Sequence, residues 1–186
     1  AMVRWWNGVS AVLDLTNPES EKWFKGVLNK LITEFGVDGF KLDAGDGRFY
    51  KGIKSLKEVN PNKHTELFAK IGLSYPYNEY RATWKMGGQP LVQRLHDKSH
   101  DWEDLKKLIP HMLLEGIMGY PFSCPDMIGG GQFTSFLDDA PIDQELVVRS
   151  TQVHALMPMM QFSVAPWRIL DERHFKAVLD AVNLRN

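Results

Sequence analysis

The stretch Gly36-Val-Asp-Gly-Phe-Lys-Leu-Asp-Ala-Gly-Asp46 decides how the rest of the chain is read. A glycine stops what precedes it, a short apolar run from Gly39 to Ala44 follows, and the acids Asp43 and Asp46 close it. A run of that length between turn signals reads as a buried strand. The residues before it read as a helix. Thr16-Asn17-Pro18-Glu19 offers a capping oxygen, a proline at the first helical position and acids in the first turn. Trp23, Phe24, Val27, Leu28, Leu31 and Phe35 then recur at helical spacing up to Gly36, a C-terminal stop. Ser10 to Leu15 is a second apolar run that reads as a strand. The local unit is therefore strand, helix, strand.

Working outward, the unit repeats. Residues 46 to 62 are rich in Gly, Lys and Asn and read as a long loop. A helix is predicted over His64 to Ile71, a strand over Tyr77 to Ala82, a turn at Gly87-Gly88 and a strand over Pro90 to Leu95. A helix follows from Trp102 to Glu115, with Leu105, Leu108, Ile109, Met112 and Leu113 on one face, then a strand from Met118 to Cys124. Gly129-Gly130-Gly131 opens a second long loop, and helices are predicted over Asp143 to Met157 and Glu172 to Leu184. Strands alternating with helices predict an α/β fold with parallel strands. A doubly wound sheet and a barrel both fit the pattern. A full eight-unit barrel needs about 250 residues. With 186 residues the chain would be a partial barrel.

Composition narrows the partners. The net charge is −1, with Lys and Arg spread along the chain, which argues against nucleic acid or an anionic membrane as the main partner. The single cysteine, Cys124, excludes a disulfide within the chain and a cysteine-built metal site. No apolar run approaches the length of a membrane span. The histidines are scattered without ligand spacing, so neither a metal nor any other cofactor is expected. Six Trp and ten Phe are many for this length, and several stand at segment ends beside Gly, Asn, Pro or Asp. Such rings suit the apolar faces of sugars and equally suit a core.

In parallel α/β folds ligands meet the C-terminal ends of strands. Four of the predicted strands end in acids: Asp14, Asp43 with Asp46, Asp97 after His96, and Asp126. One such acid is unremarkable, whereas four in series suggest a site. Cleaving a glycosidic bond with retention needs an ionised carboxylate and a protonated carboxyl group about 5 Å apart. The nucleophile must be held ionised, for which Lys41, on the same strand face as Asp43, and Arg81 are candidates. The acid must have a raised pKa. The residues alone do not say which Asp takes which part.

Five motifs in order resemble glycoside hydrolase family 31. The segment 36–46 resembles its nucleophile strand. Trp5-Trp6-Asn-Gly with Val12-Leu-Asp14-Leu-Thr-Asn-Pro18 resembles the preceding strand and aromatic wall. Arg81-Ala-Thr-Trp-Lys-Met-Gly-Gly-Gln-Pro-Leu-Val-Gln-Arg-Leu-His-Asp97 matches the Arg-to-Asp stretch without a gap. Tyr120-Pro-Phe-Ser-Cys-Pro-Asp-Met-Ile-Gly-Gly130 resembles its Asp-Ile-Gly-Gly segment, and Ala165-Pro-Trp167 its Pro-Trp. The resemblance implies a TIM-type (β/α)8 barrel, of which this chain would hold strands three to seven as a single partial catalytic domain of a larger multidomain glycosidase. It implies Asp43 as nucleophile and Asp97 as acid/base. It implies Trp6, Lys41, Asp46, Arg81, Trp84, Arg94, His96, Asp126 and Trp167 as substrate contacts, with no metal and no cofactor.

Two departures matter. Arg94-Leu-His96-Asp97 stands where many members carry Trp-Thr-Gly-Asp, and Gln161 and Ser163 stand where the common α-glucosidase pattern has Arg and His. The Trp-Trp-Asn-Gly and Met-Gln-Phe-Ser-Val-Ala-Pro-Trp stretches look closer to a branch with bacterial α-galactosidases and an animal glycosidase. The resemblance thus implies an exo-acting α-galactosidase, with α-glucosidase, α-xylosidase or a silent carbohydrate-binding fragment as alternatives. The expected partner is an oligosaccharide or α-glycoside. Open barrel edges would favour self-association, and export is suggested by the resemblance alone. A different α/β enzyme, such as a sugar isomerase, would need a metal cluster that the sequence does not spell.

Overall fold

The computed structural model describes residues 2–5, 8–131 and 142–185. The chain divides into two compact units, Ala1–Gln93 and Arg94–Asn186.

In the first unit β1 (Met2–Trp5) and β2 (Gly8–Ala11) form an antiparallel hairpin, with Met2 opposite Ala11. Helix α1 (Pro18–Phe35) starts where the sequence places it. The Asn17 side chain accepts from the Glu19 N–H at 3.0 Å, Pro18 fills the first position, and Gly36 ends the helix in the left-handed region at φ 64°, donating its N–H to Ile32. β3 (Gly39–Leu42) follows and pairs in parallel with β4 (Tyr77–Tyr80), Gly39 opposite Tyr77 and Leu42 opposite Tyr80. A Cβ on Gly39 would strike the Tyr77 carbonyl, so the close approach of the two strands requires glycine there. β4 in turn pairs in parallel with the start of β5 (Val92–Arg94), Tyr80 opposite Gln93. Helix α2 (Pro61–Gly72) connects β3 to β4, capped by Asn60 accepting from Lys63 N–H at 2.9 Å. The buried Tyr80 hydroxyl ties this helix to the sheet: it accepts from the Gly72 N–H at 2.6 Å and donates to the Phe68 carbonyl at 3.2 Å.

In the second unit Leu95, one residue past β5, donates to the Cys124 carbonyl of β6 (Phe122–Cys124) at 2.9 Å. Helix α3 (Trp102–Ile117) is capped by Asp101, whose carboxylate accepts from the Asp104 N–H at 2.7 Å. β7 (Met127–Ile128) pairs in parallel with β8 (Gln161–Phe162). Helices α4 (Gln144–His154) and α5 (Glu172–Arg185) cover this pair: Ile128, Val147, Val148 and Val178 form one buried cluster, with Phe162 packed against it. Leu95, Leu108 and Met112 form a second, under α3.

Three expectations shift. The strand read over Ser10 to Leu15 is Gly8–Ala11, because the hairpin ladder ends at Ala11 and Asp14 then turns the chain by accepting from the N–H and hydroxyl of Thr16 at 3.0 and 2.6 Å. The loop read over 46 to 62 contains a 3-10 turn, Gly47–Tyr50, closed by the Phe49 N–H on the Asp46 carbonyl at 3.0 Å. The β7–β8 pair is too short to show a period in sequence. The other helices and strands fall where they are predicted, and the described strands are shorter.

Candidate active site

Each unit carries a half-exposed aspartate held by a buried arginine. In the first unit Asp43 follows β3 directly. Ala44 and Gly45 then take left-handed backbone, φ 68° and 78°, which turns the chain sharply away from the strand end. Left-handed backbone is uncommon for alanine and tends to gather at functional positions. A Cβ on Gly45 would meet the Phe68 ring. Arg81, at the end of β4, reaches both acids: its Nη1 lies 3.5 Å from Asp43 Oδ1 and its Nη2 2.9 Å from Asp46 Oδ2. The arginine side chain is 10% exposed, Asp46 26% and Asp43 54%. Lys41 pairs with Glu79 at 3.4 Å, its register partner on β4. A cavity of about 140 Å³ opens beside Asp43, its other walls mostly apolar and including Leu15, Phe49, Tyr50 and Phe68.

Gln93, which sequence reasoning missed, and Asp14, which it read as a strand-end acid, complete this end. Gln93 donates to the Arg81 carbonyl at 2.9 Å and accepts from the Thr83 hydroxyl at 2.6 Å, which fixes the backbone that presents the guanidinium. Asp14 fastens the loop after the 3-10 turn: it accepts from the Leu56 N–H at 2.6 Å, while Thr16 accepts from the Lys57 N–H at 3.0 Å. Burial pushes the Asp14 carboxyl up, but the Thr16 hydroxyl and the Leu56 and Thr16 N–H groups outweigh it and hold the group below the usual carboxylate range. The Asp-x-Thr spacing was the visible signal for this role.

In the second unit Arg94 Nη1 lies 2.9 Å from Asp97 Oδ1 and 3.0 Å from Asp126 Oδ1, and donates to the Leu95 carbonyl at 3.0 Å. Arg94 is 3% exposed, Asp126 0% and Asp97 53%. The second Asp126 oxygen accepts from the Lys98 N–H at 2.9 Å. Burial pushes the Asp126 carboxyl above its ordinary range, more than the Lys98 N–H and the Arg94 guanidinium pull it down. Asp126 itself takes left-handed backbone at φ 69°. The glycines after it press on the same loop. Gly131 donates to the Lys98 carbonyl at 3.0 Å, and a Cβ there would come within 2.9 Å of Asp97 Cβ and 3.2 Å of Asp126 Oδ2.

The structure therefore groups Asp43, Asp46 and Arg81 in one unit, and Arg94, Asp97 and Asp126 in the other. Asp126 and Arg94, expected as sugar contacts, are both enclosed, and the Asp126 oxygens accept from Arg94 and Lys98. His96 is exposed and its ring meets that of His111 edge-on at 5.9 Å. Trp84 and Trp167 are open, at 43% and 69% exposure, whereas Trp102, not expected at a site, donates its indole N–H to Asp143 at 2.8 Å. Trp6 lies outside the described residues. Among the described residues no group of three His, Cys, Asp or Glu side chains is placed to hold a metal. No described helix is long and apolar enough to cross a membrane.

A half-exposed carboxylate at a strand end, on an arginine that also grips a second aspartate, thus occurs once in each unit. Over residues 1–185 the sequence matches the glycosyl hydrolases family 31 TIM-barrel domain, and the chain belongs to that family. Among its relatives, the myogenesis-regulating glycosidase of Mus musculus is 38% identical over 181 residues, 90% of this chain and 25% of that protein. The sulfoquinovosidase of Escherichia coli K12 is 28% identical over 172 residues, 81% of this chain and 24% of that protein. A solved family 31 sulfoquinovosidase from E. rectale superposes with a TM-score of 0.80 at 22% identity, covering all of this chain and 31% of that one. The fold is thus a portion of the family's TIM barrel. The chain spans about a quarter of the length of the curated relatives it matches.

Proposed function

We propose that this chain carries the reacting carboxylates of a retaining, exo-acting α-glycosidase, and that its substrate is an α-galactoside. The observation that carries this reading is the repeated arrangement of a half-exposed aspartate on a largely enclosed arginine, at the two positions that by motif resemble the family's nucleophile and acid/base. Asp43, beside the Arg81 guanidinium, attacks the anomeric carbon. The bond to the leaving oxygen breaks, and that oxygen takes the proton of Asp97. Asp97 then removes a proton from water, and the resulting hydroxide displaces Asp43 from the covalent intermediate with net retention. Lys41 and Asp46 flank the nucleophile, and Trp84 and Trp167 offer open rings as platforms for the sugar.

The galactoside assignment rests on the Trp-Trp-Asn-Gly and Met-Gln-Phe-Ser-Val-Ala-Pro-Trp stretches, which look closer to a branch with bacterial α-galactosidases, while the departures at Arg94, His96, Gln161 and Ser163 speak against the common α-glucosidase pattern. Relatives named as α-glucosidase, such as that of Bacillus thermoamyloliquefaciens at 24% identity, keep a glucoside as the second reading. The test is hydrolysis of p-nitrophenyl α-galactoside and α-glucoside by the longest natural protein that contains this chain, with the chain assayed beside it. Galactoside turnover that disappears in Asp43→Ala supports the proposal. Glucoside turnover alone keeps the two carboxylates and replaces the sugar. Turnover retained in Asp43→Ala overturns the mechanism.

A further inference from the structure

The first unit holds a second hollow that the two-carboxylate chemistry does not use. It is a groove of about 510 Å³ whose walls include Arg4 of β1 and Arg48, Phe49, Lys51 and Lys54 of the 3-10 turn and the loop after it. Four cationic side chains surround it, and among the described residues no Asp or Glu lines it. All four are exposed, and among the described residues none of them makes an ion pair. The Arg48 guanidinium is kept in place over the Phe49 ring, 4.7 Å from its centroid. The chain as a whole is nearly neutral, with a net charge of −1, so this local excess is not a reflection of composition. Like charges gathered around one concavity repel one another, and an anion in the hollow relieves that repulsion while gaining charge-assisted hydrogen bonds.

Its position relates it to the site. The 3-10 turn begins at Gly47, immediately after Asp46, and Phe49 lines both this groove and the cavity beside Asp43. The two hollows thus share one aromatic ring. We propose that this groove is a subsite for an anionic group, a carboxylate, sulfate or phosphate, carried by the part of the substrate beyond the sugar. The inference rests on the glycosidase reading above and adds a charge requirement for the leaving group. Arg48, Lys51 and Lys54 supply the contacts from one loop, and Arg4 closes the hollow from the hairpin.

The test is calorimetric titration of the protein with phenyl α-galactoside, 4-carboxyphenyl α-galactoside and benzoate, at low and high salt. The probes are repeated on the triple variant Arg48→Gln/Lys51→Gln/Lys54→Gln, whose exposed positions leave the fold intact. The carboxylated glycoside is expected to bind about tenfold tighter than the neutral one at low salt, the gain that two or three exposed charge contacts supply. The gain should disappear at high salt and in the variant. Equal affinity for the two glycosides overturns the proposal, and so does a preference that survives the triple substitution. If benzoate binds as well as its glycoside and the variant abolishes both, the anion groove stands and the sugar reading falls.

Discussion

The two units solve the same local problem with different degrees of enclosure. In the first, Arg81 spans Asp43 and Asp46, and the supporting acid keeps 26% of its side-chain surface. In the second, Arg94 spans Asp97 and Asp126, and the supporting acid has none. Asp43 and Asp97 themselves are equally open, at 54% and 53%. What differs is the anchor behind them. A charge pair with one partner near water loses little when broken, whereas a fully enclosed pair leaves an uncompensated ion behind. The difference suits the proposed roles. A nucleophile returns to the same ionised state each turnover, while an acid/base gains and loses a proton and needs a partner geometry that does not relax as its charge changes.

The largest expected effect is on turnover. Asp43→Ala should lower kcat on the cleaved glycoside by on the order of 10⁴-fold or more, as loss of a covalent nucleophile does, with an unchanged circular dichroism spectrum. Next is stability. Arg94→Gln strands the buried Asp126 carboxylate and should cost about 3 kcal/mol in urea unfolding, within the range for breaking an enclosed pair. Arg81→Gln should cost about 1 kcal/mol or less on the same measurement. Equal losses from the two arginines would remove the contrast drawn above.

A pH experiment probes the burial of two groups in the second unit. Glu115 is buried in α3 and its Oε2 has no hydrogen-bond partner, and burial pushes its carboxyl up to about 8. The folded chain therefore holds a proton that the unfolded chain releases at neutral pH. The stability tied to that proton is complete below the ordinary carboxylate range and is lost as pH rises toward about 8. Glu115→Gln keeps the neutral shape, so it should gain on the order of 2 kcal/mol relative to wild type on going from pH 5 to pH 8. His154 has the opposite sign. Burial pushes it down to about 3, so stability falls as pH drops below the ordinary histidine value. The smallest effect concerns self-association: among the described strands β3 pairs on one side only, and light scattering of the chain should show concentration-dependent mass. A single monomer mass at every concentration would contradict that edge.

Much of this was readable from the residues. Helix α1 carries its capping asparagine, its proline and its terminal glycine in the sequence, and each works as local rules require. The acids at the ends of β3 and β5 were found because a charged residue closing an apolar run is conspicuous. The enclosure of Asp126 was not legible: an aspartate after a strand looks alike whether it faces solvent or an arginine thirty-two residues away. Arg94 likewise reads as a pocket residue until its three acceptors are seen. Gln93 and Thr83 left no signal, since their bond depends on the register of two strands rather than on spacing. The anchors of the candidate site belong to tertiary geometry, and the exposed carboxylates they hold belong to sequence.

Gly131 sits where a single methyl group would press on both Asp97 and Asp126. Its place in the chain is remote from either strand end, and it takes no part in bond making. A library that varies this position therefore acts as a ruler for the proposed role of Asp97. Alanine, with one added carbon, should shift the carboxyl by tenths of an ångström, and larger side chains by more. Catalytic rate plotted against side-chain volume at position 131 would then report how finely proton delivery is aligned, without altering any ionisable group.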